Sequence, residues 1–384
     1  MKRILILSSE FPPGPGGIGT HAYQLAKYLS KQHMEVTVVS PQDYANETEI
    51  NAFNGKQPFK VERLPSIAIK PFQTLKRFQA LKSTFRALKP TLVIASGTRA
   101  IWMTAFLLKW RKIPWVIIGH GKEFGRRKGG SALLTKVSGN RANAVICVSH
   151  FTLSRLHKMG ITKPTSYVIH NGADHHLFYK LTKEEVKAFL EEQSLENPFI
   201  LLTVGNVSDR KGQEVVIRSL PRIKKVIPNV QYWMAGLPER QMALEALARE
   251  LEVGDNIRFW GRVPHTTLLA LYNACNLFVM TSRQVKDGDF EGYGIAVIEA
   301  ALCGKAAVVS DNSGLAEAVI NSKTGLLVPQ DDPAGTTEAV LTLIRNPQML
   351  KRLSRNAQQN AIENQTWEKV GKRYLQLLDK IYNE

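Results

Sequence analysis

Three stretches combine glycine with cations or carboxylates in a way that suits an anionic, hydroxyl-rich ligand. In FPPGPGGIGTH, residues 11–21, three prolines and four glycines follow the apolar run ILIL and precede AYQLAKYLS. Glycine lets backbone amides approach a ligand closely, and a helix starting just beyond would turn its partial positive end toward an anion. A surface loop has the same composition, and the spacing is not the dinucleotide GxGxxG, so both readings stay open at this point. In GNVSDRKG, residues 205–212, Arg210 and Lys211 stand between a strand and a helix, where cations and amides would converge on phosphate oxygens. The stretch lacks the Walker A run of glycines, and a solvated turn would look alike.

The third stretch is FEGYGIAVIEAALCG, residues 290–304, where Gly292 and Gly294 open a helix and Glu291 and Glu299 bracket it. Carboxylates accept hydrogen bonds from vicinal hydroxyls, so one would hold a sugar ring and the other a ribose. For Glu299 the rival reading is a partly buried ion pair. His120 falls at a strand end in WVIIGHGKEFG, where a neutral imidazole can donate to a hydroxyl or to developing charge, or be purely structural. IHNGAD places Asn171, Gly172 and Asp174 in a turn or ligand loop, and DNSGLAEAV, residues 311–319, is expected to start a helix containing Glu317.

Other chemistry finds less support. DGD, residues 287–289, is an acidic pair of the kind that holds Mg²⁺ or Mn²⁺, but its place before the glycines reads as a flexible loop. His120, His170, His175 and His176 show no zinc spacing, and no Gly-x-Ser-x-Gly elbow is present. Cys147, Cys275 and Cys303 lie far apart in apolar segments and read as buried free thiols of a reducing compartment.

The elements that must position these residues are short runs of Val, Ile and Leu between segments of helical period. In the first half they fall at 3–8, 35–39, 91–95, 115–119, 144–148 and 166–169, apolar on both faces as a helix-covered parallel sheet requires. The pattern restarts at FILLTVG, residues 199–205, and continues through VQYWMAG, NIRFWG, NLFVM, AAVVS and TGLLV. The chain is therefore expected to be α/β, its two similar sheets in series implying a cleft between them, with a boundary within 172–198. Ligands of such sheets gather beyond the carboxyl ends of the strands. The tail WEKVGKRYLQLLDKIY, residues 367–382, spaces Trp367, Val370, Tyr374, Leu377, Leu378 and Tyr382 as one helical face.

A length of 384 residues with 44% hydrophobic content suits two ordinary cores. The N-terminal apolar run is too short for a signal peptide, and no window approaches the roughly 18 to 20 apolar residues of a spanning helix. The net charge of +18 is concentrated: residues 1–200 carry 29 Lys and Arg against 13 Asp and Glu, the remainder 22 against 20. Basic clusters at 70–89, KWRK at 109–112 and 121–130 would suit an anionic membrane surface, an acidic substrate or nonspecific nucleic acid, or would only solubilise.

Taken in order, FPPGPGGIGTH, GHG, NGAD, GNVSDRKG and EGYGIAVIEA resemble the retaining glycosyltransferases of family 4, over residues 4 to about 330. The resemblance is strongest to the phosphatidylinositol mannoside mannosyltransferases and related bacterial transferases acting on lipids or polysaccharides. It implies the GT-B fold, two Rossmann-like domains facing across a cleft, with residues 1–172 and 365–384 forming an acceptor-side domain and 173–364 a nucleotide-sugar-binding domain. It implies a hexosyltransferase moving mannose or glucose from a GDP or UDP sugar to a hydroxyl of a lipid-linked or glycan acceptor. Gly16 and Gly17 would approach the donor diphosphate, with Ile18, Thr20 and His21 on the acceptor side. Asn206, Arg210, Lys211 and the backbone of Gly292, Tyr293, Gly294 and Ile295 would hold the donor. Glu291, first carboxylate of the family's E-x7-E pattern, would grip donor-sugar hydroxyls and Glu299 the ribose, while His120, Lys211 and Glu291 would form the catalytic set. Cations and amides then neutralise the leaving group, so neither a metal nor a cofactor beyond the donor is implied. The location implied is cytoplasmic, peripheral on the inner membrane face, with no specific nucleic-acid partner.

The chain departs from the pattern in two places. Asn206 stands where the family usually has Arg, so that Arg210, or another cation such as Arg283, would have to replace it. Ala316 stands where many relatives have Pro. The first departure leaves a second reading, a nucleotide-sugar-binding or scaffolding relative with weak or no catalysis. A dehydrogenase is disfavoured because EVTVVS carries no acidic ribose ligand at the dinucleotide spacing, and a nucleic-acid-binding protein because no module or stacking surface accompanies the charge.

Overall fold

The computed structural model describes residues 2–14, 16–66, 70–125, 129–195, 198–286 and 288–383. The chain divides into two compact units, Met1–Asn171 with Trp367–Glu384, and Gly172–Thr366. The first contains β1 (Arg3–Ser8), β2 (Glu35–Ser40), β3 (Lys60–Arg63), β4 (Leu92–Ser96), β5 (Trp115–Gly119), β6 (Ala144–Cys147) and β7 (Thr165–Val168). They form one sheet in the order β3-β2-β1-β4-β5-β6-β7, parallel throughout.

Alternation within apolar runs explains why this sheet is covered on both faces. Ile4 and Ile6 of β1 join Val36, Val38, Val116 and Ile118 on one side, against the helices Gly17–Ser30 and Trp367–Asn383. Leu5 and Leu7 join Val93, Ala95 and Ile117 on the other. Residues of opposite parity thus enter two separate cores, as a doubly wound sheet requires. The strand β3, KVER, escapes the apolar-run reading because three of its four residues are charged, which its partly buried place at the sheet edge tolerates. The tail helix packs on this unit through Trp367, Val370, Tyr374, Leu378 and Ile381. Tyr382 is instead 38% exposed and Leu377 only partly buried, because the inward stripe advances by three and four residues and reaches position 381.

The second unit contains β8 (Phe199–Val204), β9 (Val230–Ala235), β10 (Ile257–Gly261), β11 (Leu277–Met280), β12 (Ala307–Ser310) and β13 (Gly325–Val328). Their order is β10-β9-β8-β11-β12-β13, again parallel. The charged segment before β8 forms the helix Lys183–Glu192, started by a capping box between Thr182 and Glu185. Residues 314–318 form a single 3-10 turn rather than the expected helix, ended by Val319 in an extended conformation. All three cysteines are buried and free.

Both sheets reverse winding direction beside their first strand, β1 between β2 and β4 and β8 between β9 and β11. The crevice beyond the carboxyl ends at such a reversal is where open α/β sheets bind ligands. The loops 9–16 and 205–211 follow those two strands. Charge is divided as sharply: the first unit carries 30 Lys and Arg against 10 Asp and Glu, the second 21 against 23. Among the described residues no helix is long and apolar enough to cross a membrane.

Candidate functional site

In the first unit, the loop after β1 is pinned beside the end of β4, where the Ser9 amide donates to the Ser96 carbonyl at 2.9 Å. Phe11 anchors it below, edge-on to Tyr23, Phe53 and Phe59. Gly16 caps the helix Gly17–Ser30 with φ 141° and no side-chain cap. A Cβ there would lie 2.1 Å from Glu10 Oε2, so glycine is required by sterics as well as by the torsion. Gly16 and Gly17 are exposed, and Ile18 and Thr20 partly so, with the Thr20 hydroxyl donating to the Gly16 carbonyl at 3.0 Å.

His21 does not fit its acceptor-side assignment as a contact residue, because its side chain is fully buried. It shares the inward helical face of Leu25 and Leu29, at spacings of four. Its Nε2 pairs with the Tyr374 hydroxyl at 3.0 Å, and its ring meets those of Trp367 and His120 edge-on at 5.1 and 5.0 Å. Burial holds His21 well below the ordinary imidazole range, and the neighbouring His120 adds to the effect.

His120 follows the last residue of β5 and pairs through Nε2 with the Ser96 hydroxyl at 2.9 Å. Burial lowers its pKa to about 3, so the ring is neutral at physiological pH. Glu123 was not singled out by sequence reasoning, yet its Oε2 accepts from the amides of His120 and Gly121, both at 3.0 Å. This fixes the turn that presents His120. Glu123 is fully buried, its Oε1 has no partner among the described residues, and burial raises its pKa to about 7. The fold therefore disfavours the ionised form: stability is highest below the ordinary carboxylate range and falls as pH rises through about 7. Glu123→Gln is accordingly expected to leave Tm unchanged at about pH 4 and to raise it by several degrees at about pH 8 in a thermal melt. A benefit confined to low pH would contradict this assignment.

In the second unit, β8 runs into Gly205, at φ 140°, and then a 3-10 turn Asp209–Lys211 that aims both cations at Glu291. Lys211 Nζ lies 2.8 Å from Glu291 Oε2. Arg210 pairs with the same oxygen and, through Nε, with Asp289 at 3.4 Å. Burial alone would raise the Glu291 pKa, but Lys211 and Arg210 outweigh it and leave the carboxylate at about 2. Burial lowers the Lys211 pKa, opposed by Glu291. Asn206 faces elsewhere: its side-chain amide donates to Glu239 at 3.0 Å. Arg283 is likewise committed, to Asp331 at 2.7 Å and Glu214 at 3.4 Å. Of the two candidates to replace a missing arginine, Arg210 is the one beside Lys211.

The glycines after Glu291 set the start of the helix Ile295–Leu302. Gly294 caps it in the left-handed region at φ 87°, and a Cβ there would come within 2.4 Å of Leu315 Cδ1. Gly294→Ala should cost about 1–3 kcal/mol, read as a drop in the denaturation midpoint; an unchanged midpoint would show the turn to be plastic. Tyr293 is buried and its hydroxyl accepts from Gln365 at 2.9 Å, so this residue offers the site its backbone rather than its ring. Glu299 accepts from the Tyr272 hydroxyl at 2.6 Å, and burial raises its pKa to about 7. Tyr272, on the helix His265–Ala274, carried no sequence signal beyond its place in an apolar helix.

Of the acidic pair 287–289, Asp287 lies outside the described residues and Asp289 is engaged by Arg210. Asp174, His175 and His176 bring one ligand atom each within 4.8 Å of one another, a clustering of adjacent residues on one turn. Residues 126–128 of the basic cluster at 121–130 also lie outside the described residues.

Residues 15–177 match the family described as Glycosyltransferase Family 4, and residues 185–360 that described as Glycosyl transferases group 1. The fold superposes on Anabaena HepE in complex with UDP and glucose, with TM-score 0.83 and 20% identity, covering 99% of this chain and 100% of that one. It superposes on sucrose-phosphate synthase from Thermosynechococcus elongatus with TM-score 0.81 and 21% identity over the whole of both chains. The chain is a GT-B glycosyltransferase similar to members of family 4, a class whose reaction moves a sugar from a nucleotide-diphosphate donor to an acceptor hydroxyl. Among curated relatives it is 25% identical, over 98% of both chains, to the GDP-mannose-dependent monoacylated alpha-(1-6)-phosphatidylinositol monomannoside mannosyltransferase of Corynebacterium glutamicum. It is 27% identical to the glycogen synthase of Mycobacterium tuberculosis, over 96% of this chain and 92% of that one.

Proposed function

We propose that this chain transfers a hexose, mannose or glucose, from a GDP or UDP sugar to a hydroxyl of a lipid-linked or glycan acceptor, with retention at the anomeric carbon. The observation that carries the reading is the Arg210–Glu291–Lys211 cluster at the carboxyl end of β8. Arg210 and Lys211 are held side by side on Glu291, with Asp289 as a second partner of Arg210, so two cations stand where a diphosphate would depart, and the backbone around Gly292, Tyr293, Gly294 and Ile295 adds dipoles. Glu291, ionised down to about pH 2, accepts from donor-sugar hydroxyls, and Glu299 from the ribose. In the first unit, Gly16 and Gly17 approach the diphosphate, Ile18 and Thr20 face the acceptor, and neutral His120 donates a hydrogen bond to the transferred sugar.

In the reaction, the bond between the anomeric carbon and the phosphate oxygen breaks, and the acceptor oxygen bonds that carbon from the same face. The acceptor proton passes to the departing phosphate oxygen. Lys211 and Arg210 hold the growing charge, so the protein's own cations and amides supply the neutralisation. Asn206, turned toward Glu239, is the observation favouring a binding relative of little activity; Arg210, beside Lys211 on Glu291, supports the active reading. A thermal-shift panel of UDP, GDP and ADP sugars tests the reading. One nucleotide should raise Tm selectively, through linkage of binding to folding, and no shift with any donor would contradict it.

The acceptor side is best served by a membrane. The adjacent helices Lys70–Leu88, Thr98–Leu107 and Gly130–Gly139 are joined by the Phe78–Phe106 ring contact and the Trp102–Thr135 hydrogen bond. They leave Phe72, Leu75, Phe106, Leu133 and Val137 exposed, and Trp110, 82% exposed, follows beside Lys109. Apolar side chains among cations are the pattern of a surface that lies on anionic lipid, which supports a peripheral location on the cytoplasmic face. Flotation with phosphatidylcholine vesicles containing phosphatidylglycerol should recover the protein at low salt, and Trp110→Ala should weaken recovery severalfold; equal recovery without the anionic lipid would sink the docking assignment.

A further inference from the structure

The amino edge of the first sheet, where no donor or acceptor role has been placed, holds a cavity of about 520 Å³. Its floor is the first residues of three strands, Trp115 of β5, Ala144 of β6 and Thr165 of β7. His120 lies just past the opposite end of β5, so the cavity is separated from it by a strand length, roughly 16 Å. Arg111, Lys112 and Arg141 all line it, and among the described residues no carboxylate does. Among the described residues, none of the three cations has a carboxylate partner; Arg111 instead lies over the Phe85 ring, 4.7 Å from its centroid. Asn143 is oriented by accepting from the Trp115 amide through Oδ1 at 3.0 Å, which leaves its Nδ2 to donate. Tyr167 and Tyr382 supply flat walls, the latter held under Lys2 Nζ at 4.8 Å.

From this arrangement we infer a second anion site that takes a phosphate monoester of sugar-phosphate size. Three cations without counterions set the charge of the ligand, the volume falls within the range of small-molecule pockets, and the aromatic walls suit a ring. Two of the cations also follow helices, Thr98–Leu107 and Gly130–Gly139, whose carboxyl ends attract positive charge. Helix capping alone would need no walled cavity, and it predicts a stability loss without ligand binding.

Isothermal titration of the full chain with glucose 6-phosphate tests the site for a soluble ester. Flotation with phosphatidylcholine vesicles, with and without phosphatidic acid, tests for a lipid phosphate monoester. The expected result is saturable binding to one of the two, weakened about tenfold or more in Arg141→Ala and retained in Lys211→Ala. Arg141→Lys, keeping the charge, should bind better than Arg141→Ala and serves if the alanine variant folds poorly. Trp110→Ala separates general membrane attachment from the cavity: it should leave glucose 6-phosphate binding unchanged. Failure of both probes, or binding lost in Lys211→Ala and kept in Arg141→Ala, would overturn the inference. Neither failure bears on the donor-side reading, whose test uses other ligands and residues.

Discussion

Lys211→Ala should lower kcat/KM for sugar transfer by about two to three orders of magnitude, the usual loss when a group aimed at developing charge is removed. The ammonium reaches its position because the 3-10 turn after β8 folds its stem across Gly205, where a Cβ would come within 2.9 Å of Lys211 Cε. Its loss falls on activity more than on folding, since Glu291 keeps Arg210 as partner. Steady-state kinetics with a circular-dichroism melt would separate the two. A variant with native Tm and near-native kcat/KM would remove Lys211 from the reaction. Lys211→Arg should not restore full activity, because the enclosed, 11% exposed side chain has little room for a planar guanidinium.

The second large effect concerns which arginine takes the place left by Asn206. Arg210→Ala should reduce kcat/KM by about ten- to a hundredfold, because its guanidinium shares Glu291 with Lys211. Arg283→Ala should change it by less than about threefold while lowering Tm, since it removes contacts to Asp331 and Glu214. Asn206→Ala should resemble Arg283→Ala in activity, because the amide is turned to Glu239. The reverse ranking of Arg210 and Arg283 would give the leaving group to Arg283.

Much of this framework is legible in residue types alone, for physical reasons that also define where legibility stops. Strands buried on both faces must be apolar, so the inner strands announce themselves; of the four edge strands, β7, β10 and β13 keep apolar residues that make them readable, while β3, KVER, alternates charge with Val61 and reads as a polar segment. In the tail helix the apolar set was readable but its phase was not, because Tyr382 and Ile381 are neighbours and only packing against the first sheet selects Ile381. The loops carrying Gly16, Lys211 and Glu291 stand out because glycine and charge at strand ends are costly without a purpose. The family resemblance puts His21 on the acceptor side, although its spacing from Leu25 and Leu29 marks it as inward. Glu123 left no signal: a carboxylate four residues past a strand looks like surface until it folds back onto the His120 and Gly121 amides. Tyr272 and Tyr374 are likewise silent, since their contacts to Glu299 and His21 join residues 27 and 353 positions apart.

The central claim is that the loop after β8 and the Glu291 turn together hold a nucleotide-diphosphate sugar and release its diphosphate. Release of nucleoside diphosphate from UDP-glucose and GDP-mannose, measured in parallel for the wild type and Lys211→Ala with a lipid or glycan acceptor extract, tests it most directly. The account predicts acceptor-stimulated release from one of the two donors, nearly abolished in Lys211→Ala. Wild-type protein that binds neither donor and releases no diphosphate, or release that persists undiminished in Lys211→Ala, would contradict it.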